Sequence, residues 1–431
     1  MIKLTKKEFK SGTLLSIANF YDPILLVIFT PIFIKNLTIE IYGLWVLIFS
    51  LANFARIGFA GINNAIVKFL ANNVNKIIKQ KFFINIIFLY LFYSLILLFS
   101  LIFSNLFIEF DNFFEIKLIN NVGYFFIFSI LFVLLKNFEE ILYSVHNSYE
   151  NYEISTFIKI ISKTILFGSQ IYCVISFKDV LILIEISCFV SIAINIIQLL
   201  IIKKKYNFIN PIYSIILFEY KTIKDIIFYT KGLIINNLIG LISQNLDKLI
   251  ISYFLGLKVL GLYNISFLIF SLIHSFFQSF FFYLFPKMSK VKNKNKKFRI
   301  FIQSEKNILV LGIITILFIY LISEKFIKIW LGSSFDLRVY EYHIIFLIIN
   351  FLILPTIPVY YYLITFKSTM IQAKIALYNL ILSTTLLIIL GYYFSVYGII
   401  FSKISGFIIS IFQIIYIVKL NKNDLKVRKR I

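Results

Sequence analysis

Long apolar stretches alternate with short polar connections along the whole chain. Segments such as "NIIFLYLFYSLILLFSLIF" are apolar all round, as a helix surrounded by lipid should be. Stretches of about 18 or more apolar residues recur from end to end, each long enough to cross a bilayer as an α-helix. A membrane β-barrel would instead alternate in polarity over segments of about 10 residues. The pattern predicts twelve spans, at 11–35, 41–67, 82–107, 121–145, 154–177, 179–202, 226–254, 258–286, 300–323, 341–366, 371–393 and 396–419. The expected fold class is an all-α polytopic membrane protein whose short connections leave no room for a separate soluble domain.

Composition points the same way, with 60% hydrophobic and only 15% charged residues. Soluble domains carry about 25% charged residues. The basic N-terminus runs into a long apolar stretch without a small-residue cleavage site, so it reads as a first span and not a signal peptide. Cys173 and Cys188 lie inside apolar segments and have neither CxxC nor disulfide-framework spacing. The three histidines are scattered, which argues against a metal site. No P-loop, GxSxG or HExxH occurs, so no catalytic residues, no cofactor and no ATP hydrolysis are expected of this chain.

A net charge of +23 suggests nucleic acid, but the placement of the charges argues against it. Alternate connections and the two termini hold 28 lysines and arginines, and the connections on the opposite side hold 7. This is the asymmetry of the positive-inside rule, and it places both termini in the cytoplasm. The expected neighbours of the basic residues are anionic lipid headgroups. The basic connection also divides the chain: an N-terminal six-helix bundle at 1–205, a cytoplasmic linker at 206–225, and a C-terminal six-helix bundle with a basic tail at 226–431. The two halves open alike. Gly12 is followed by "YGLW" with Gly43, and Gly232 by "LGLY" with Gly261, at spacings of 31 and 29. Internal repeats of this kind are common in secondary transporters.

Three motifs now come into focus. "NLDKLIISYFLGLKVLGLYN" at 245–264 resembles the seventh-span signature of polysaccharide transporters, the O-antigen flippase branch of the multidrug/oligosaccharidyl-lipid/polysaccharide flippase superfamily. "YLFPKMSK" at 283–290 and "EIYGLW" at 40–45 are similar to that superfamily's eighth-span ending and second-span entry. The resemblance implies two six-helix bundles around a central cavity. It further implies that lipid-linked oligosaccharide passes from the inner to the outer leaflet of a bacterial cytoplasmic membrane by alternating access. A polysaccharide polymerase and chain-length machinery are the implied partners. A peptidoglycan-precursor flippase or a multidrug exporter of the same superfamily fits the same motifs. An integral-membrane polymerase or acyltransferase is a reading of another class, though the outward connections 107–120 and 324–340 are short for one.

Carrying a pyrophosphate and sugar hydroxyls through hydrocarbon requires a polar, cationic path, and ionisable residues inside spans are costly enough to be candidates by default. Arg56 falls near the middle of span two, and an arginine fork can hold phosphate oxygens bidentately. An ion pair with Asp22 or another acid is the alternative for it. Lys163, Lys403 and Lys248 are further candidates for the path. Lys159, on the same face as Lys163, reads as snorkelling, and Lys136 as locally paired with Glu139 and Glu140. In span seven, Asn236, Gly240, Ser243 and Asp247 form a helical stripe, flanked by Asn237, Gln244 and Lys248. Lipid would not tolerate this stripe, so it should face protein or a cavity. Asp247, Asp22 and Glu185 are candidates for a coupling ion, with a structural ion pair as the alternative for Asp247.

Overall fold

A computed structural model describes residues 6–59, 62–72, 76–108, 121–206, 220–289, 291, 293–365 and 369–428. Among these residues every regular element is a helix. The order is α1 (Lys6–Leu37), α2 (Ile39–Ala52), α3 (Ile62–Asn72), α4 (Lys76–Ile108), α5 (Val122–Ser148), α6 (Tyr152–Ser176) and α7 (Val180–Tyr206), then α8 (Tyr220–Leu255), α9 (Leu257–Phe280), α10 (Leu284–Ser289), α11 (Lys294–Leu331), α12 (Leu337–Ile353), α13 (Thr356–Ile364), α14 (Thr369–Ser402) and α15 (Ser405–Arg428). Nine stretches among the described residues are long and apolar enough to cross a membrane. Together with α1, α5 and α15 they account for the spans expected from the sequence, and the chain is a multi-pass membrane protein.

Several spans are broken helices. Span two consists of α2, a 3-10 segment at Asn53–Phe59, and α3. Span eight has a 3-10 turn at Phe281–Tyr283, and span ten turns at Leu354 and Pro355. Within α14 the backbone of Ser395 leaves the helical region (φ 54°, ψ −134°). That kink is the hairpin between spans eleven and twelve, at the boundary expected from the sequence. It closes tightly: a Cβ on Gly398 would lie 1.8 Å from the carbonyl oxygen of Leu390, so only glycine fits there. Span twelve breaks again at Lys403 and Ile404 before α15 begins.

The repeat read from the two openings has a backbone counterpart. Thr38 (φ 90°, ψ 160°) precedes α2, and Gly256 (φ 86°, ψ 170°) precedes α9. Gly43 and Gly261 follow these turns at the same offset and are buried inside helices, so the chain reverses before those glycines and not at them. Gly256 meets the positive φ without cost. Thr38 is a β-branched residue in the same region, and its hydroxyl accepts a bond from the amide of Ile41.

Contacts divide the chain into two compact units, Leu4–Leu241 and Ile242–Ile431. The division falls inside α8, beyond the linker at 206–225, and α8 itself already begins within that linker at Tyr220. In the N-terminal unit, Ile62, Ile66 and Leu70 of α3 pack with Phe82, Phe83 and Ile86 of α4 and with Ile141, Leu142 and Val145 of α5. In the C-terminal unit, Phe277, Phe281 and Met288 pack with Phe301 and Ile308 of α11 and with Leu347, Leu354 and Tyr362. The outer faces stay apolar: Phe92, Leu95 and Phe99 of α4 and Leu317, Phe318 and Leu321 of α11 are exposed, as suits contact with lipid.

Parallel helices α5 and α7 are bonded in constant register. Tyr124 donates to Glu185 at 2.7 Å, Cys188 meets the Phe128 carbonyl at 3.4 Å, Asn195 donates to the Leu135 carbonyl at 3.0 Å, and His146 meets the Tyr206 hydroxyl at 3.0 Å. Each rung joins residues 60 or 61 positions apart. Such bonds, with close packing, hold helices together where no water drives their association.

Candidate transport site

The break in span two builds the first part of the site. A 3-10 stretch disturbs the regular backbone ladder, and inside a membrane the freed groups need protein partners. Tyr93 of α4 donates to the Ala55 carbonyl at 3.3 Å, and Tyr90 donates to the Leu134 carbonyl of α5. Phe59 packs on both tyrosine rings, at 4.6 and 4.9 Å between centroids. The braced segment leaves Arg56 exposed. Its Nε donates to Oδ1 of Asn137 at 3.0 Å. Among the described residues no carboxylate pairs with its guanidinium.

From Asn137 a polar seam continues across the N-terminal unit. Lys136 pairs with Glu139, which also accepts a bond from Tyr143. Glu140 pairs with Lys159 of α6 at 3.1 Å. On the same face of α6, Lys163 pairs with Asp22 of α1, and beside it Tyr21 bonds to Thr164 at 2.6 Å. The seam therefore holds four cations (Arg56, Lys136, Lys159, Lys163) against three carboxylates (Asp22, Glu139, Glu140). Among the described residues it is left with one surplus positive charge, and Arg56 is the member without an acid.

A second polar cluster lies in the C-terminal unit. The Asp247 side chain has 0% exposure, and one of its oxygens is 2.7 Å from Nζ of Lys403. Tyr263 of α9 donates to the same carboxylate. The ammonium groups of Lys248 and Lys403 lie 5.5 and 5.6 Å from the ring centre of Phe267. Lys403 comes from the second break in span twelve. The bend lets a long side chain reach α8, and the turn is closed by the bonds from the Lys403 amide to the Ile400 carbonyl and from the Ile404 amide to the Phe401 carbonyl.

The sequence profile of a family described as "Polysaccharide biosynthesis protein" matches residues 9–292. The chain belongs to the polysaccharide biosynthesis protein family. No curated protein sequence matches it. Solved structures share its fold. The lipid II flippase MurJ, in an inward closed conformation, superposes with a TM-score of 0.74 at 18% identity over 94% of this chain and 87% of that one. An inward-facing multidrug resistance MATE transporter of the MOP superfamily gives 0.66 at 13% identity over 98% and 97%. The outward-facing form of a MATE family transporter gives 0.59 at 12% over 96% of each chain. The chain thus has the fold of the transporters of the multidrug/oligosaccharidyl-lipid/polysaccharide superfamily.

In this polysaccharide biosynthesis protein the sequence candidates separate into groups. Arg56 lies in a 3-10 segment and not in the continuous helix expected, because the run around Gly58 breaks span two. Its partner is an amide, where Asp22 or another acid was the expected alternative. Lys163 and Asp22 come together as a pair. Lys403 and Asp247 form another, and Lys248 lies near it. Glu185 accepts a bond from Tyr124. Asn237 and Gln244 are exposed on α8, whereas Asp247 is buried, so the span-seven stripe does not bury one continuous face. The side chain of Asn236 lies outside the described residues. Lys136 pairs locally as expected, but Glu140 turns to Lys159, which is bonded across helices and not snorkelling. Asn137, Tyr93 and Tyr263 escaped the sequence reading. Each is an ordinary polar residue in a span, and nothing local to the chain marks its partner.

Proposed function

We propose that the protein flips polyprenyl-pyrophosphate-linked oligosaccharide, such as an O-antigen, capsule or exopolysaccharide repeat unit, from the inner to the outer leaflet of a bacterial cytoplasmic membrane by alternating access. Both termini lie in the cytoplasm in this reading. The observation that carries it is Arg56: an exposed guanidinium on a braced break in a membrane span, held by a neutral acceptor. A charged side chain at such a depth costs roughly 3 kcal/mol or more, so an arginine kept there without an acid suits an anionic cargo. Lys163 and Lys159 extend the cationic seam toward α1 and α6. Lys248 adds an ammonium in the C-terminal unit, and Asn237 and Gln244 are exposed donors and acceptors for sugar hydroxyls. The polysaccharide biosynthesis family supports a sugar-bearing cargo over a drug. The surplus positive charge of the seam also disfavours a cationic drug, for which an excess of carboxylates would be needed.

The test is reconstitution into liposomes with a labelled polyprenyl-pyrophosphate oligosaccharide, scored for transfer between leaflets. Arg56→Ala should abolish transfer while leaving membrane insertion intact. Arg56→Lys should retain part of it, because an ammonium is a point charge and not a planar fork. Full transfer by the Ala variant would remove Arg56 from the path.

A further inference from the structure

Lys136, Lys159 and Lys163 each face a carboxylate, whereas Arg56 faces the amide oxygen of Asn137. We propose that Asn137 is the positioning residue of an anion site built on Arg56: a neutral acceptor that fixes the guanidinium through Nε and leaves its full charge and both terminal amino groups to an incoming phosphate. The inference rests on the reading of Arg56 as the pyrophosphate anchor.

Both ends of the Arg56–Asn137 bond are braced by the same helix. Tyr93 of α4 holds the carbonyl of Ala55, next to Arg56, and Tyr90 of α4 holds the carbonyl of Leu134, one turn before Asn137. On the other side, Asn195 of α7 donates to the Leu135 carbonyl at 3.0 Å. The guanidinium is thus anchored to a part of α5 that two neighbouring helices hold in place. The amide has one workable orientation, because its NH2 group turned toward Nε–H would set donor against donor. That orientation leaves Nδ2 of Asn137 buried and without a partner, which is unfavourable. A side chain kept at such a cost is kept for the bond that its oxygen makes. The alternatives show why an amide suits the task. A carboxylate in the same place would pair with the guanidinium and neutralise it, as happens to the three lysines. An apolar residue would leave Nε without an acceptor and the fork free to swing.

Binding of farnesyl pyrophosphate, a short polyprenyl pyrophosphate, to the purified full-length chain in detergent tests the proposal. Arg56→Ala should weaken binding at least roughly tenfold, as loss of a charge-assisted bidentate contact implies. Asn137→Asp should weaken it by a similar factor, and in the Arg56→Ala background it should add no further loss, since the two residues act as one unit. Asn137→Leu, of similar size and uncharged, should weaken binding several-fold, and it serves where the Asp variant does not fold. Unchanged affinity in the Asp or Leu variant, alongside a weakened Arg56→Ala, would overturn the proposal alone. So would a loss on Asn137→Asp that persists without Arg56. Unchanged affinity in Arg56→Ala would overturn the anchor reading and this inference with it.

Discussion

Asp247 is completely buried, yet the ammonium of Lys403 and the phenol of Tyr263 converge on it. A lone carboxylate there would be expelled by the cost of desolvation, and Lys403 offsets that cost at 2.7 Å. Asp247 then acts as a pin between span seven and span twelve, with the ammonium of Lys403 already in the place that a coupling ion would take. Asp247→Asn keeps the shape but strands Lys403. Removing one partner of a buried pair costs about 3–5 kcal/mol, so a marked fall in melting temperature and yield is expected. Adding Lys403→Met should recover most of the loss. Thermal melting of the purified variants reads both effects. If Asp247 instead carries a coupling ion, the Asn variant melts like the wild type and transport loses its dependence on the proton or sodium gradient.

Helix breaks, more than helices, place the polar groups. The 3-10 segment of span two presents Arg56, and the turn at Lys403 lets span twelve reach Asp247. Upstream of that turn, the hairpin at Ser395 sets the direction in which span twelve returns. Gly398 is the residue that allows the hairpin to close, because the Leu390 carbonyl oxygen occupies the place of its missing Cβ. Gly398→Ala should therefore abolish the folded protein, seen as loss of the monodisperse peak in size-exclusion chromatography. Gly240→Ala in α8 meets nothing within 4 Å and should be tolerated. A helix interior gains about 1 kcal/mol from that change, so its melting temperature should hold or rise slightly.

For the molecule as a whole, the sided distribution of charge predicts an orientation that is open to test. Cys173 and Cys188 are buried, so labelling of the native protein should give little background. A cysteine introduced at Lys294 should resist a membrane-impermeant thiol reagent added to intact cells, and one introduced at Ser334, in the opposite connection, should react. Labelling of position 294 from outside would reverse the topology and with it the assignment of cytoplasmic termini.

Apolar length is a property of consecutive residues, so the membrane class and the spans could be read along the chain. The Lys136–Glu139 pair was legible for the same reason, since neighbours three apart on a helix meet whatever surrounds them. Arg56 and Asp247 stood out because charge inside a span is rare. Their partners did not. Asn137 is 81 residues from Arg56, and Asp22 is 141 from Lys163. Lys403 reaches Asp247 from the last span through a bend that no local pattern announced. Which charge is neutralised and which is left over follows from how helices pack and where they break. In hydrocarbon every polar group must find its partner inside the protein, so packing chose those partners and, among the described residues, left Arg56 without an acid.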